Sequence, residues 1–281
     1  CSSDLEHPSR GEEWLLGPWS VLTALEAYRS TLDAIARHRS PLHGVRLDEA
    51  PGERLRAHVF PATAADGILL SGFRGEVWFD PGVKAREAVA HAGLGQLDPA
   101  ETGGVGLVLG AGNVSSIPVL DALYELLAFN RVSLVKVNPT QDALVPVLRR
   151  ALAPLLEAGL VRIVTGGADV GAALTTHPAF SHIHITGSAA TFDRIVQGRS
   201  GAAAPITAEL GGVSPVIVVP GVWSEADLRF QAEHIVTMRL QNSGHNCIAG
   251  QVVLLSSDWP QREAFLAELR RAYAAAPARP V

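Results

Sequence analysis

The segment Val105-Gly106-Leu107-Val108-Leu109-Gly110-Ala111-Gly112-Asn113 is a short apolar run that breaks at once into a glycine turn. A run of this length with no polar alternation fits a strand buried on both faces. The same texture returns at 132–137, 161–164 and 182–185. Between these runs, Ile117, Leu120, Tyr124 and Leu127 mark one helical face, and Leu144, Val147, Leu148, Leu152 and Leu155 mark another. Strand and helix alternating at this spacing predict an α/β fold with a doubly wound, mostly parallel sheet covered on both sides. In such sheets ligands sit outside the carboxyl ends of the strands. The loops at 110–116, 138–141, 165–168 and 186–189 are therefore where a site is expected.

Outward from this centre the signals are plainer. Residues 1–17 are polar and broken by Pro8, Gly11 and Gly17, which reads as an irregular entry. From Ser20 the repeat of Val21, Leu25, Tyr28, Leu32 and Ile35 predicts a helix ended by Pro41 and Gly44. Short β-type runs at 55–60, 68–70 and 77–79, parted by proline and glycine, suggest hairpin arms. Beyond the sheet, 206–222 holds two more apolar runs. Ser224 with Asp227 is a capping box for a helix whose face includes Leu228, Ala232, Ile235 and Val236. A strand at 252–255 and a helix at 262–273, with Phe265, Leu266 and Leu269 inward, complete the pattern.

The chain has 281 residues, 47% hydrophobic and 18% charged, with a formal charge of -5. No basic field or Lys/Arg run marks a nucleic-acid partner. The apolar stretches are interrupted well short of the roughly 20 residues that cross a bilayer, so no membrane association is expected. The two cysteines are Cys1 and Cys247, too few for a disulfide framework. A reducing, cytoplasmic setting is the simpler expectation. Beginning at Cys1 rather than Met, the chain reads as a fragment edge.

The candidate chemistry lies in the loops and in the third quarter. Gly110-Ala111-Gly112-Asn113 starts like a dinucleotide fingerprint, but its third glycine position is Ser115, and a tight βα turn explains it as well. Asn113 is either a turn residue or an amide placed to donate to a developing oxyanion. Lys136 is a solvated strand-end lysine or a cation at the ligand edge of the sheet. Thr186-Gly187-Ser188 opens a helix, so Ser188 is an N-cap or a phosphate contact. His182 and His184 share a strand face, but with no third ligand in register a metal is not expected. His245 adjoins the thiol of Cys247 as a possible base or as loop packing. Cys247 alone could be an inert buried thiol, and Glu209 alone an ion-paired carboxylate. Together, a thiol and a carboxylate each framed by glycines supply the nucleophile and acid/base group of two-step acyl transfer.

Taken in order, these pieces resemble the aldehyde dehydrogenase superfamily. The resemblance spans about 104–255. It rests on Gly112-Asn113, Val135-Lys136, Ile185-Thr186-Gly187-Ser188, Glu209-Leu210-Gly211-Gly212-Val213-Ser214-Pro215 and Asn242-x-Gly244-x-x-Cys247. It implies a Rossmann-like coenzyme domain over 1–210, including the N-terminal helix and hairpin arms, and the first part of a catalytic domain over 211–281. It implies that an aldehyde is oxidised to a carboxylic acid through a thiohemiacetal and thioester on Cys247, with hydride passing to NAD or NADP. Glu209 is then the general base and Asn113 the oxyanion donor. Lys136, Gly112, Gly187 and Ser188 then contact the coenzyme. The full-length protein is implied to be a homo-oligomer. Two departures stand out: His245 occupies a position where the family often has Gln, and no carboxylate precedes Asp142 after Lys136, which leaves NAD and NADP both open. The alternatives are a CoA-acylating aldehyde dehydrogenase or acyl-CoA reductase, and a non-catalytic remnant.

Overall fold

The computed structural model describes residues 10–99, 102–198 and 204–277. Cys1 and most of the polar entry lie outside the described residues. From Arg10 onward the entry is helical rather than irregular: helix α1 (Arg10–Trp14) leads into a π-helical turn, Leu15–Trp19, that contains Pro18. Helix α2 (Ser20–Ala36) follows the predicted repeat, although Leu25 and Leu32 are exposed.

Strands β1 (Leu47–Ala50) and β2 (Arg54–Phe60) pair antiparallel. The run at 68–70, expected as a strand, instead ends helix α3 (Ala64–Leu69). Thr63 and Asp66 form a reciprocal capping box there, which satisfies donors that an extended chain would leave to a neighbouring strand. Strand β3 (Gly75–Trp78) completes a three-stranded sheet in the order β1-β2-β3, and helices α4 (Ala85–His91) and α5 (Leu94–Leu97) follow.

The parallel sheet starts with β4 (Val105–Leu109) and helix α6 (Ile117–Phe129). The buried side of α6 carries Val119, Ala122, Leu123 and Leu126, while Tyr124 is exposed, so the expected Ile117/Leu120/Tyr124/Leu127 face is out of phase. The polar stripe of α6, Asp121 and Glu125 one turn apart, turns inward, where Glu125 is buried against Arg131 and Asp121 accepts from Thr186, so the usual rule of polar side outward misplaces the face. Next come β5 (Val132–Lys136), a 3-10 turn at Pro139–Leu144, α7 (Val145–Ala151), α8 (Ala153–Glu157) and β6 (Val161–Val164). Pro146 and Pro154 each begin a new short helix, so the expected single face is broken and Val147 is exposed. Helix α9 (Ala168–Thr175), β7 (His182–Gly187), α10 (Ala189–Gln197) and β8 (Ile206–Leu210) follow. The five strands run parallel in the order β6-β5-β4-β7-β8. On one face Leu107, Leu109, Ile183 and Ile185 pack with Phe180, Leu174, Phe192 and Ile195 of the α9–α10 side. On the opposite face Asp121 and Ala122 of α6 accept hydrogen bonds from Thr186 and Ser133.

A two-stranded parallel sheet pairs β9 (Ser214–Val218) with β10 (Gly250–Leu255). Helix α11 (Glu225–Leu240) starts at the Ser224/Asp227 capping box and buries Leu228, Ala232, Ile235 and Val236, the face the repeat predicts. With α12 (Arg262–Ala275) it encloses a core of Val218, Ile235, Trp259 and Phe265.

By internal contacts the chain divides into two units. One holds 1–21, 104–122 and 132–281, and the other holds 22–103 and 123–131. The parallel sheet, the smaller sheet and every residue of the candidate site belong to the first.

Candidate active site

The candidate residues converge through the carboxyl ends of the parallel strands. Asn113 follows β4, Lys136 ends β5, Gly187 ends β7, Ser188 caps α10 and Glu209 lies in β8. These side chains and backbones, with Gly112 and Cys247, line one cavity of about 1100 Å³. Clefts for cofactors and small ligands commonly run to ~300–1000 Å³, so this space is ample for a dinucleotide and a small substrate together.

The cysteine loop is held by bonds that cross most of the chain. After α11, Asn242 and Ser243 adopt left-handed backbone at φ 51° and 52°. Gly244 follows at φ 80°, a left-handed conformation that side-chain-bearing residues rarely adopt, so this position favours glycine. The Asn242 amide side chain donates to the Asn113 carbonyl at 2.7 Å, and the Asn113 side chain donates to the His245 carbonyl at 2.7 Å. The Asn242 backbone N–H donates to the Glu12 carboxylate. Ser116 donates its hydroxyl to the Leu16 carbonyl at 2.5 Å, which ties the βα loop to the same N-terminal segment. Cys247 itself is exposed, with Asn246 Oδ1 at 3.8 Å from its sulfur. An open thiol at a cavity wall is accessible to a substrate carbonyl.

The β5 end is built differently. Lys136 is 8% exposed. Burial pushes its ammonium below the ordinary lysine range, and the Asp142 and Asp169 carboxylates oppose that shift. Asn138 Oδ1 accepts from the Thr140 N–H at 3.1 Å and from its hydroxyl at 3.0 Å. The Thr140 hydroxyl also bonds the Gly112 carbonyl at 2.9 Å. A Cβ on Gly112 would lie 2.7 Å from the Asn138 side chain, so glycine lets the two βα loops touch. Ser188 accepts from the Thr191 N–H at 3.2 Å as the N-cap of α10. Gly187, Ser188 and Thr191 at that helix start line the cavity, and a helix amino end favours an anionic diphosphate. The residues present therefore fit a dinucleotide.

His182 and His184 are not cavity residues. His184 bonds the Thr207 hydroxyl at 2.8 Å and approaches Thr186 at 3.3 Å, and the Thr186 hydroxyl donates to Asp121 at 3.0 Å. Sequence reasoning missed Glu12, Arg194 and this His/Thr/Asp network. Arg194 carried a local signal, a cation two turns into the helix that Ser188 caps. Glu12 carried none, since its partner is 230 residues away.

The aldehyde dehydrogenase family model matches residues 103–279. The chain belongs to the aldehyde dehydrogenase family. It is 37% identical over 114 residues to betaine aldehyde dehydrogenase 2 of Rhizobium meliloti (strain 1021), covering 41% of this chain and 22% of that protein. It is 40% identical over 104 residues to the NADP-dependent glyceraldehyde-3-phosphate dehydrogenase of Scenedesmus vacuolatus, covering 37% of this chain and 42% of that protein. The substrate-bound structure of Staphylococcus aureus AldH superposes with a TM-score of 0.58 at 16% identity, over 93% of this chain and 46% of that one. This likeness establishes the fold. The chain spans less than half the length of these aldehyde dehydrogenase relatives. Among its described residues, no helix is long and apolar enough to cross a membrane.

Proposed function

We propose that this chain carries the coenzyme half and the nucleophile of an NAD(P)-dependent aldehyde dehydrogenase that hydrolyses its acyl intermediate. The observation that carries the reading is that Asn113, Glu209 and Cys247 line one cavity with Lys136 and Ser188. Residues 1–210 form the coenzyme-binding part and 211–281 the beginning of the catalytic part, in a cytoplasmic, homo-oligomeric full-length enzyme.

The Cys247 thiolate adds to the aldehyde carbon. The resulting oxyanion accepts from the Cys247 backbone N–H and from the Asn113 side-chain N–H not used by His245. A nicotinamide coenzyme, held by Lys136 and by Ser188 with the first turn of α10, supplies the hydride acceptor when bound. Cys247 is then left as a thioester. Glu209 takes a proton from water as it attacks the thioester carbon, and the acid leaves while the sulfur returns as thiolate. A carboxylate on the cavity wall favours water over CoA as acyl acceptor, because a thiol acceptor has less need of a base.

The test is aldehyde-dependent coenzyme reduction by the parent chain and by variants, with product analysis with and without CoA. Cys247→Ala should abolish turnover. Asn113→Ala should lower kcat by about 10²–10³, as loss of one oxyanion donor does. Glu209→Gln should keep the first turnover and lose about 10²–10⁴ in the steady state. CoA-dependent thioester product would favour the acyl-CoA reading. Undiminished turnover by Cys247→Ala would end the covalent mechanism.

A further inference from the structure

A series of hydrogen bonds joins β8, β7 and α6 on the sheet face opposite the α9–α10 side, and no step of the reaction runs through it. Its members are His182, Thr207, His184, Thr186 and Asp121. Counting hydrogens gives the series a direction. Thr186 has one hydroxyl hydrogen and donates it to Asp121 Oδ2 at 3.0 Å. Its 3.3 Å contact with His184 Nε2 is therefore a bond in which that nitrogen carries a hydrogen and donates. Nε2 also stands 3.6 Å from Asp121 Oδ1, which favours the same assignment. In a neutral ring Nδ1 is then the acceptor, and the Thr207 hydroxyl donates to it at 2.8 Å. Thr207 has no second hydrogen, so in its 3.3 Å contact with His182 Nε2 the histidine donates. Every group gives its hydrogen to the next, and the series ends on a carboxylate. Hydrogen bonds aligned in this way polarise and strengthen one another.

The series brackets Glu209. Thr186 is the ladder partner of Glu209, and Thr207 precedes Glu209 by two residues on the same face of β8. Strand β8 is the outermost of the five, with β7 its one ladder neighbour among the described residues. A strand held from a single side keeps its place through cross-strand pairs, and Thr207 with His184 is such a pair. Thr186 and Glu209 line the cavity, whereas His184 and Asp121 do not. Any effect of those two on the reaction therefore passes through the β7–β8 pair.

We propose that Asp121 and His184 are positioning residues for the general base: through Thr186 and Thr207 they fix the outer strand pair so that Glu209 meets the water that attacks the thioester. The inference rests on the reading of Glu209 as that base. It requires one tautomer of His184, the one with hydrogen on Nε2. Only that neutral ring accepts from Thr207 and donates toward Thr186 and Asp121 at once.

The test uses the whole chain and 4-nitrophenyl acetate, and needs no coenzyme. In the burst the acetyl–sulfur bond forms on Cys247, the acetyl–oxygen bond breaks and 4-nitrophenolate leaves. In the steady phase water takes the acetyl group and its proton passes to Glu209. Asp121→Ala should slow the steady phase about 10- to 100-fold and leave the burst rate within about twofold. Asp121→Asn, which keeps an oxygen for Thr186, should recover most of the parent rate. Spectra of the chain with nitrogen-15 in its histidines read the tautomer directly. The parent should carry hydrogen on His184 Nε2, and Asp121→Ala should move it to Nδ1, because the Thr186 hydrogen then turns to Nε2. Asp121 is largely enclosed and its replacement could unsettle α6, so the isosteric Thr207→Val on the exposed outer strand provides a second arm. It should slow the steady phase about tenfold while His184 keeps hydrogen on Nε2. A parent ring with hydrogen on Nδ1, or steady phases of Asp121→Ala and Thr207→Val equal to the parent's, would overturn the inference and leave Glu209 as the base. A Glu209→Gln steady phase equal to the parent's, or a parent with no burst, would end both.

Discussion

Glu12 shows how much one distant side chain can contribute at the residue scale. Its carboxylate accepts from the Asn242 backbone N–H, at the point where Asn242, Ser243 and Gly244 turn left-handed ahead of Cys247. A non-glycine residue in that region carries strain of about 1–3 kcal/mol and persists only where neighbours over-determine it. Removing the acceptor leaves a partly buried N–H unsatisfied, at a cost of about 1–3 kcal/mol. Glu12→Ala should therefore change the rate of Cys247 alkylation by iodoacetamide several-fold, whereas Glu12→Gln, which retains an acceptor oxygen, should stay near the parent. Identical alkylation rates in all three proteins at a temperature where all are folded would show that Glu12 has no hold on the thiol. None of this was legible in the sequence. Cys247, Glu209 and Asn113 were, because each stands in a short motif with a glycine or strand end beside it. A bond between residues 12 and 242 leaves no local pattern.

Elements differed in legibility for physical reasons. Helix α11 was plain because Leu228, Ala232, Ile235 and Val236 recur among charged residues, and Ser224 with Asp227 announces its start. Helix α6 was found but rotated wrongly, since its acidic pair Asp121 and Glu125 points inward to Thr186 and Arg131 rather than to solvent. Strand β1 went unseen: Leu47-Asp48-Glu49-Ala50 has the charge of a loop. Asp48 explains why such a strand holds. It accepts from Arg56 and His58 on β2, and Arg56 also reaches Glu76 on β3. The Arg56 hydrogen bond, with that of His58, holds the Asp48 carboxyl well below the usual carboxylate range. A carboxyl with a depressed folded-state pKa contributes stability that is complete above its unfolded value of about 3.9 and fades as pH falls toward the folded value. The Tm difference between parent and Asp48→Asn should be constant from neutral pH down to about pH 5, then shrink on further acidification. A difference that grew with acid would contradict the sign.

At the scale of the molecule, the smaller parallel sheet has one covered side and one bare side. Val216, Val218, Val253 and Leu255 pack on the α11–α12 core, while Ile217, Val219, Val252 and Leu254 face outward, with Ile217 68% exposed and Val219 69%. Ile217 and Leu254 are direct partners in the ladder, so the bare side is continuous across both strands. Contiguous apolar surface of this kind drives association in water. The chain should self-associate in sedimentation at micromolar concentration, and the double substitution Ile217→Thr with Leu254→Thr should lower that tendency without loss of the far-ultraviolet helical signal. A monodisperse parent chain would remove the basis for this expectation.

The bonds that assemble the pocket also impose an order in time. Asn113 meets His245 across 132 residues, and Glu12 waits for Asn242 across 230. A ribosome delivers the amino end first, and contacts of such separation close late and slowly. Throughout synthesis the emerging polypeptide holds its acid, amide and cation as unrelated side chains. Asn113, Lys136 and Glu209 have all been released before the sulfur leaves the exit tunnel. The sulfur thus emerges ahead of the slow closures that give it its surroundings.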